Sequence, residues 1–169
     1  MNEAETRIEA EIPALRRYAR ALCGDAGLAD DLVQDCLERA LSRLFPWRRA
    51  ESGLRPWLFT ILRNVWIDEL RRRRSRPESS GMDEAMAAAA SAPGQLDRLV
   101  VRDLAAALAL LVPEQREAVL LVGLEGLSYA EVAAVTGVPL GTVMSRLKRG
   151  RDRLALLMHG GEAAIRRVK

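Results

Sequence analysis

The chain has 169 residues, of which 49% are hydrophobic, 29% charged and only 4% aromatic, with a net charge of +3. Those totals suit one or two small globular domains and favour helices over strands. No apolar run reaches the roughly 18 residues of a membrane span. The acidic opening "MNEAETRIEAEIP" lacks the apolar core of a signal peptide, so no membrane insertion and a cytoplasmic location are expected.

Residues 8–23, "IEAEIPALRRYARALC", place Ile8, Ile12, Leu15, Ala19 and Leu22 at helical spacing. "GDAGLAD" then breaks the pattern. A second helix is expected over 28–44, with an apolar stripe of Leu32, Val33, Cys36, Leu37, Ala40, Leu41 and Leu44. Pro46 and Gly53 punctuate a loop, "FPWRRAESGL". A third helix, 55–74, carries Trp57, Leu58, Ile61, Leu62, Val65, Trp66 and Leu70 and ends in "RRRRS". Cations suit that end, where the backbone dipole is negative.

The composition changes at Pro77. "PESSGMDEAMAAAASAPGQ" has few large apolar residues and cannot pack a core, so it reads as a flexible, acidic linker. Helical pattern returns over about 96–112, and Pro113 suits the first turn of another helix at 114–123. Ser128 with Glu131 forms a capping box, Gly137 suits a left-handed helix end, and Pro139 opens the last helix. That is a helix-turn-helix. The fold expected is all-α, two small helical domains at 6–75 and 97–160 joined by a linker at 76–96.

Charge follows the same division. The balance is −3 over residues 1–45, +6 over 46–76, −5 over 77–127 and +5 over 128–169. Two basic blocks on either side of an acidic stretch suggest two contacts with one polyanion. In the last helix, Val143, Leu147 and Leu154 share one face. Thr142, Ser145, Arg146, Arg149 and Arg153 share the other, where arginines and hydroxyls can reach base edges in a major groove. A solvated basic helix would show the same pattern. The first basic block interleaves all three tryptophans, Trp47, Trp57 and Trp66, with arginines. Such a mixture suits unstacked single strands. Trp57 also suits a core position, while Trp47 sits in the loop and is the better exposed contact.

Chemistry finds little support. Cys23 and Cys36 lack metal-ligand spacing, His159 is the only histidine, and no phosphate-binding loop or nucleophile elbow is present. The two thiols are expected to be buried or partly buried. No cofactor, metal site or catalytic residue is expected, and the chain is not expected to be an enzyme.

Together, "ADDLVQDCLERAL" (29–41), "RPWLFTILRNVWIDELRRRR" (55–74) and "LVPEQREAVLLVGLEGLSYAEVAAVTGVPLGTVMSRLKRGRDRL" (111–154) resemble the extracytoplasmic-function (ECF) sigma factors of bacterial RNA polymerase. The resemblance implies sigma domain 2 followed by sigma domain 4. It implies docking on the β′ clamp helices of core polymerase through Asp30, Asp31, Leu32, Gln34, Asp35 and Arg39, with Leu32 partly in the core, and a further contact of the chain with the β flap. Recognition and melting of the −10 element would fall to Trp47, Arg48, Arg49, Arg63, Asn64, Trp66, Arg71 and Arg72, with Asp68 orienting an arginine. The −35 element would be read by Thr142, Met144, Ser145, Arg146, Lys148, Arg149 and Arg151. Ser145 and Arg149 are the expected base contacts, and Thr142, Arg146 and Arg151 the phosphate contacts. The implied partners are core polymerase, promoter DNA and an anti-sigma factor that holds the protein inactive. The alternatives are a sigma-like decoy that binds an anti-sigma factor but not DNA, and a stand-alone helix-turn-helix regulator.

Overall fold

The computed structural model describes residues 3–42, 53–75 and 95–166. Trp47, Arg48, Arg49, Leu44 and nearly all of the expected linker lie outside these residues. Every regular element among the described residues is a helix: α1 (Glu3–Cys23), α2 (Ala26–Ser42), α3 (Leu54–Ser75), α4 (Gln95–Ala109), α5 (Pro113–Val119), a π turn (Leu120–Leu124), α6 (Tyr129–Thr136) and α7 (Leu140–Arg166).

Local chemistry sets the boundaries in the first half. Gly24 takes φ 71°, a conformation open to a residue without Cβ, and its N–H donates to the carbonyl of Arg20 at 2.9 Å. The carboxylate of Asp25 then accepts from the N–H of Leu28 at 2.6 Å and caps α2. Helix α1 starts earlier than the expected Ile8, because Ala4 extends its buried face by one turn. Three stripe residues of α1 and α2 fall short of full burial: Ile12 and Leu37 are half-buried, and Leu41 is 46% exposed at the end of α2. Leu15, Tyr18, Ala19, Leu32, Val33, Cys36, Leu58, Phe59 and Leu62 fill the three-helix core. Tyr18 meets Phe59 edge to face, with ring centroids 5.2 Å apart.

In the second half the helix expected over 114–123 is not a continuous α-helix. Beyond Val119 the backbone widens into a π turn, which lets Leu120 and Leu121 both point inward. Helix α5 lies closely on α7 because residue 150 is glycine: a Cβ there would stand 2.7 Å from a methyl of Val119 and 3.2 Å from the carbonyl oxygen of Gln115.

The two halves do not stand apart. Helix α6 packs on α3, and the π turn packs on α1. Leu120, Leu121, Leu127, Val132, Val135 and Val143 belong to the same apolar cluster as the core of the first half. At about 25 cal/mol per Å² of apolar surface removed from water, a contact of this kind favours association of the halves.

Candidate nucleic-acid and polymerase interface

The helix-turn-helix is built by the residues that signalled it. The Ser128 hydroxyl accepts from the N–H of Glu131 at 3.2 Å, and the Glu131 carboxylate accepts from the N–H of Ser128 at 2.7 Å. Gly137 ends α6 with φ 69°, its N–H donating to the carbonyl of Ala133 at 2.9 Å. Helix α7 then buries Val143 and Leu147 against its partners. Its outer face carries Met144, 51% exposed, with Lys148, Arg149 and Arg151 also exposed. Lys148 pairs with Asp152 at 2.8 Å, an exposed i,i+4 pair worth only a few tenths of a kcal/mol. Thr142, Ser145 and Arg146 are half-buried, and the Ser145 hydroxyl donates to the carbonyl of Thr142 at 3.0 Å. That bond leaves the Ser145 oxygen free to accept.

On α2, Asp31 and Gln34 are exposed and Asp35 is half-buried. Asp30 lies 3.5 Å from Arg16 and 3.8 Å from Arg20 of α1. Gln34 donates to Glu38 at 3.1 Å. Leu32 is 3% exposed, so it supports this surface from beneath rather than forming it. Arg39 donates to Asp68 of α3 at 3.2 Å. The arginine that Asp68 orients is therefore on α2.

Along α3, Asn64, Arg71 and Arg72 are exposed, and Arg72 lies 3.5 Å from Glu69. Trp57 and Trp66 are half-buried and pack against the apolar cluster. Arg63 is turned elsewhere: its Nε donates to the carboxylate of Glu117 at 2.5 Å, and its side chain is only 21% exposed.

Glu117 and Arg63 belong to a charged seam between the halves. Glu125 follows the π turn, and its side chain is fully buried. Arg17 Nε and Nη2 donate to its two carboxylate oxygens at 3.0 and 2.7 Å. Arg55 donates at 3.0 Å to both the carboxylate and the backbone carbonyl of Glu125, and it also pairs with Glu11. Arg116 reaches from α5 to the terminal carbonyls of α4 at Leu108 and Ala109, and on to the carbonyl of Leu22 in α1 at 3.2 Å. Burial pushes the carboxyl of Glu117 above the usual range, with Arg63 and Arg146 pulling it back and Glu114 adding to the rise. Sequence reasoning missed this seam. The nearest signals are a lone acid in "LLVGLEGL" and another in "REAVL", and neither reveals partners far away in the chain.

Among the described residues, no group of His, Cys, Asp or Glu is arranged to hold a metal ion, and no helix is long and apolar enough to cross a membrane. Cys36 is buried, its thiol facing the carbonyl of Leu58 at 3.6 Å, and burial pushes that thiol up to about 12. Cys23 is half-buried, and burial raises it too.

Two family models cover most of the chain. The "Sigma2 domain of PhyR" matches residues 8–63, and "Sigma-70, region 4" matches residues 102–154. The ECF RNA polymerase sigma factor EcfG of Rhodopseudomonas palustris is 42% identical over 152 residues, covering 90% of this chain and 83% of that protein. The sigma factor RpoE of Bartonella quintana, solved with the anti-sigma factor NepR, superposes with a TM-score of 0.75 at 35% identity, over 91% of this chain and 95% of that one. The anti-anti-sigma factor PhyR of the same organism, also solved with NepR, gives a TM-score of 0.60 at 20% identity, over 89% of this chain and 49% of that one, a likeness of fold alone. Given the extent of these matches, and given a helix-turn-helix placed where the region 4 model falls, the chain belongs to the ECF sigma factors, the promoter-recognition subunits that bring core RNA polymerase to promoter DNA.

Proposed function

We propose that the surfaces described above divide the work of a sigma factor as follows. The exposed acidic face of α2, with Asp30, Asp31, Gln34, Asp35 and Arg39, docks on the β′ clamp helices of core polymerase, and Leu32 holds that face in place from the core. The basic end of α3 takes the −10 element through Arg63, Asn64, Trp66, Arg71 and Arg72, together with Trp47, Arg48 and Arg49 of the preceding loop. Helix α7 enters the major groove at the −35 element. Met144, Ser145, Lys148 and Arg149 face base edges there, and Thr142, Arg146 and Arg151 face phosphates. The domains run over 6–75 and 97–160. The protein works in the cytoplasm without enzymatic activity of its own. An anti-sigma factor is its regulator, in keeping with the relative solved in complex with NepR.

The observation that carries this reading is the outer face of α7. A capping box and a left-handed glycine fix the angle between α6 and α7, so that Lys148, Arg149 and Arg151 project to solvent on the side away from Val143 and Leu147. Run-off transcription with bacterial core polymerase on a promoter library is the test. Initiation at a defined set of sequences is expected. Tight duplex binding by the protein alone, with no initiation on any sequence, would instead point to a stand-alone regulator.

The PhyR match to the first half favours a second reading, a decoy that binds an anti-sigma factor and no DNA. Such a decoy has no use for the basic faces of α3 and α7. Transcription that depends on Arg149 separates the two readings.

A further inference from the structure

The charged seam has a consequence for the −10 surface, and this inference rests on the assignment of Arg63 to that surface. We propose that the chain closes on itself: Glu125 latches onto Arg17 and Arg55, and the closure it holds sets Glu117 on Arg63, so that this arginine is withheld from single-stranded DNA until the latch opens.

Three observations support it. First, the ion pairs that cross the seam all run one way, from guanidiniums of the first half to carboxylates of the second. Arg17, Arg55 and Arg63 come from α1 and α3, while Glu117 and Glu125 come from α5 and the residue after the π turn. Second, the two contacts differ in strength. Glu125 is fully buried and receives four hydrogen bonds from two guanidiniums, one of them at its backbone carbonyl. A buried carboxylate that loses such partners is strongly destabilising where it lies, and separation of the halves would let it hydrate. Glu117 holds Arg63 by one bond, and burial already disfavours its charged form. Glu125 is therefore the latch, and Glu117 the contact that yields once the latch has opened. Third, the closed body is too small for a promoter. A folded chain of 169 residues has a radius of gyration of about 15 Å. Elements some 25 base pairs apart lie on the order of 85 Å apart along B-DNA.

The test uses the full chain without polymerase, so it can fail while the transcription assay succeeds, and the reverse. Small-angle scattering reads the size of the particle. A fluorescent random-sequence single-stranded 12-mer reads DNA affinity. Two variants change the net charge in opposite directions: Glu125→Ala removes a negative charge, and Arg17→Ala with Arg55→Ala removes two positive charges. Circular dichroism checks that each remains helical; Arg17→Ala alone replaces the pair if the double variant does not fold. Both are expected to enlarge the particle and to tighten DNA binding about tenfold, as expected if roughly one molecule in ten is open in the unmodified chain. Adding Arg63→Ala to Glu125→Ala should abolish the gain in affinity. An unchanged radius in both variants would overturn the latch. So would affinities that simply follow net charge, rising for Glu125→Ala and falling for the arginine variants. Enlargement with a gain that survives Arg63→Ala would overturn the withholding of Arg63.

Discussion

Helices α3 and α7 both present arginines, yet what faces those arginines differs. On α7, Arg149 and Arg151 project to solvent, and Lys148 pairs within its own helix with Asp152. On α3, Arg55 and Arg63 are bound by carboxylates of the other half, while Arg71 and Arg72 at the helix end stay exposed. The basic face of α7 is thus open to solvent, and that of α3 only partly so; under the proposed assignment the first would read the −35 element and the second the −10 element. The difference arises from burial. Glu117 and Glu125 sit among apolar residues at the seam, and buried carboxylates demand partners. The nearest guanidiniums are those of the first half.

The largest effect tests whether the halves share one core. Leu121 is fully buried in the cluster that joins them. Leu121→Ala should cost about 2–5 kcal/mol, read as a lower urea midpoint for α5 to α7, and it should enlarge the particle in small-angle scattering by weakening the apolar contact with the first half. An unchanged particle would mean that the apolar contact adds nothing to closure.

Next comes the open basic face. Arg149→Ala should cost about 1–3 kcal/mol at one −35 position and relax preference there. Selection on a randomised −35 element measures this. A uniform loss on all sequences would make Arg149 a phosphate contact, and the contrast with α3 would lose its meaning for base reading. Ser128→Ala removes half of the capping box and should cost about 1 kcal/mol. The loss should appear as a lower unfolding midpoint, with −35 preference intact if α7 keeps its angle.

The seam itself predicts a pH dependence. Burial raises the Glu117 carboxyl above its ordinary value of 4.5, so the folded state binds that proton more readily than the unfolded chain. The stability linked to this group is fully present below the ordinary value and is lost as pH rises through the raised one. Unfolding midpoints of the wild type, relative to Glu117→Gln, should therefore rise as pH falls from neutral towards 4.5. A flat difference would mean that Arg63 fully offsets the burial. The smallest effect belongs to Tyr18, whose buried hydroxyl has no hydrogen-bond partner among the described residues. Tyr18→Phe should be neutral or stabilising by up to about 1 kcal/mol, because it removes an unsatisfied polar group.

The helix-turn-helix was legible almost residue by residue, since capping boxes, turn glycines and the 3.6-residue period are local rules. Gly24 and Asp25 likewise mark the α1–α2 corner. Periodicity gave Leu58, Leu62 and Val65 as core positions of α3, but it missed the fully buried Phe59, and Trp57 and Trp66 pack only at the margin of the core. The π turn was not legible, because its extra backbone residue answers to packing: Leu120 and Leu121 must both face the first half. The resemblance to the sigma factors put Arg63 at the −10 element, and it could not reveal that Glu117 lies opposite.

The helical pattern, the caps around α6, the corner between α1 and α2, the two basic stretches and the family were all written in the sequence. Each of these depends on interactions within a few residues, or on motifs that survive without a partner. Packing is what puts Leu32 beneath its surface, Arg39 on Asp68, and Arg17 and Arg55 around Glu125. Those outcomes turn on which charged groups become buried together, and burial is a property of the packed chain that no local stretch contains.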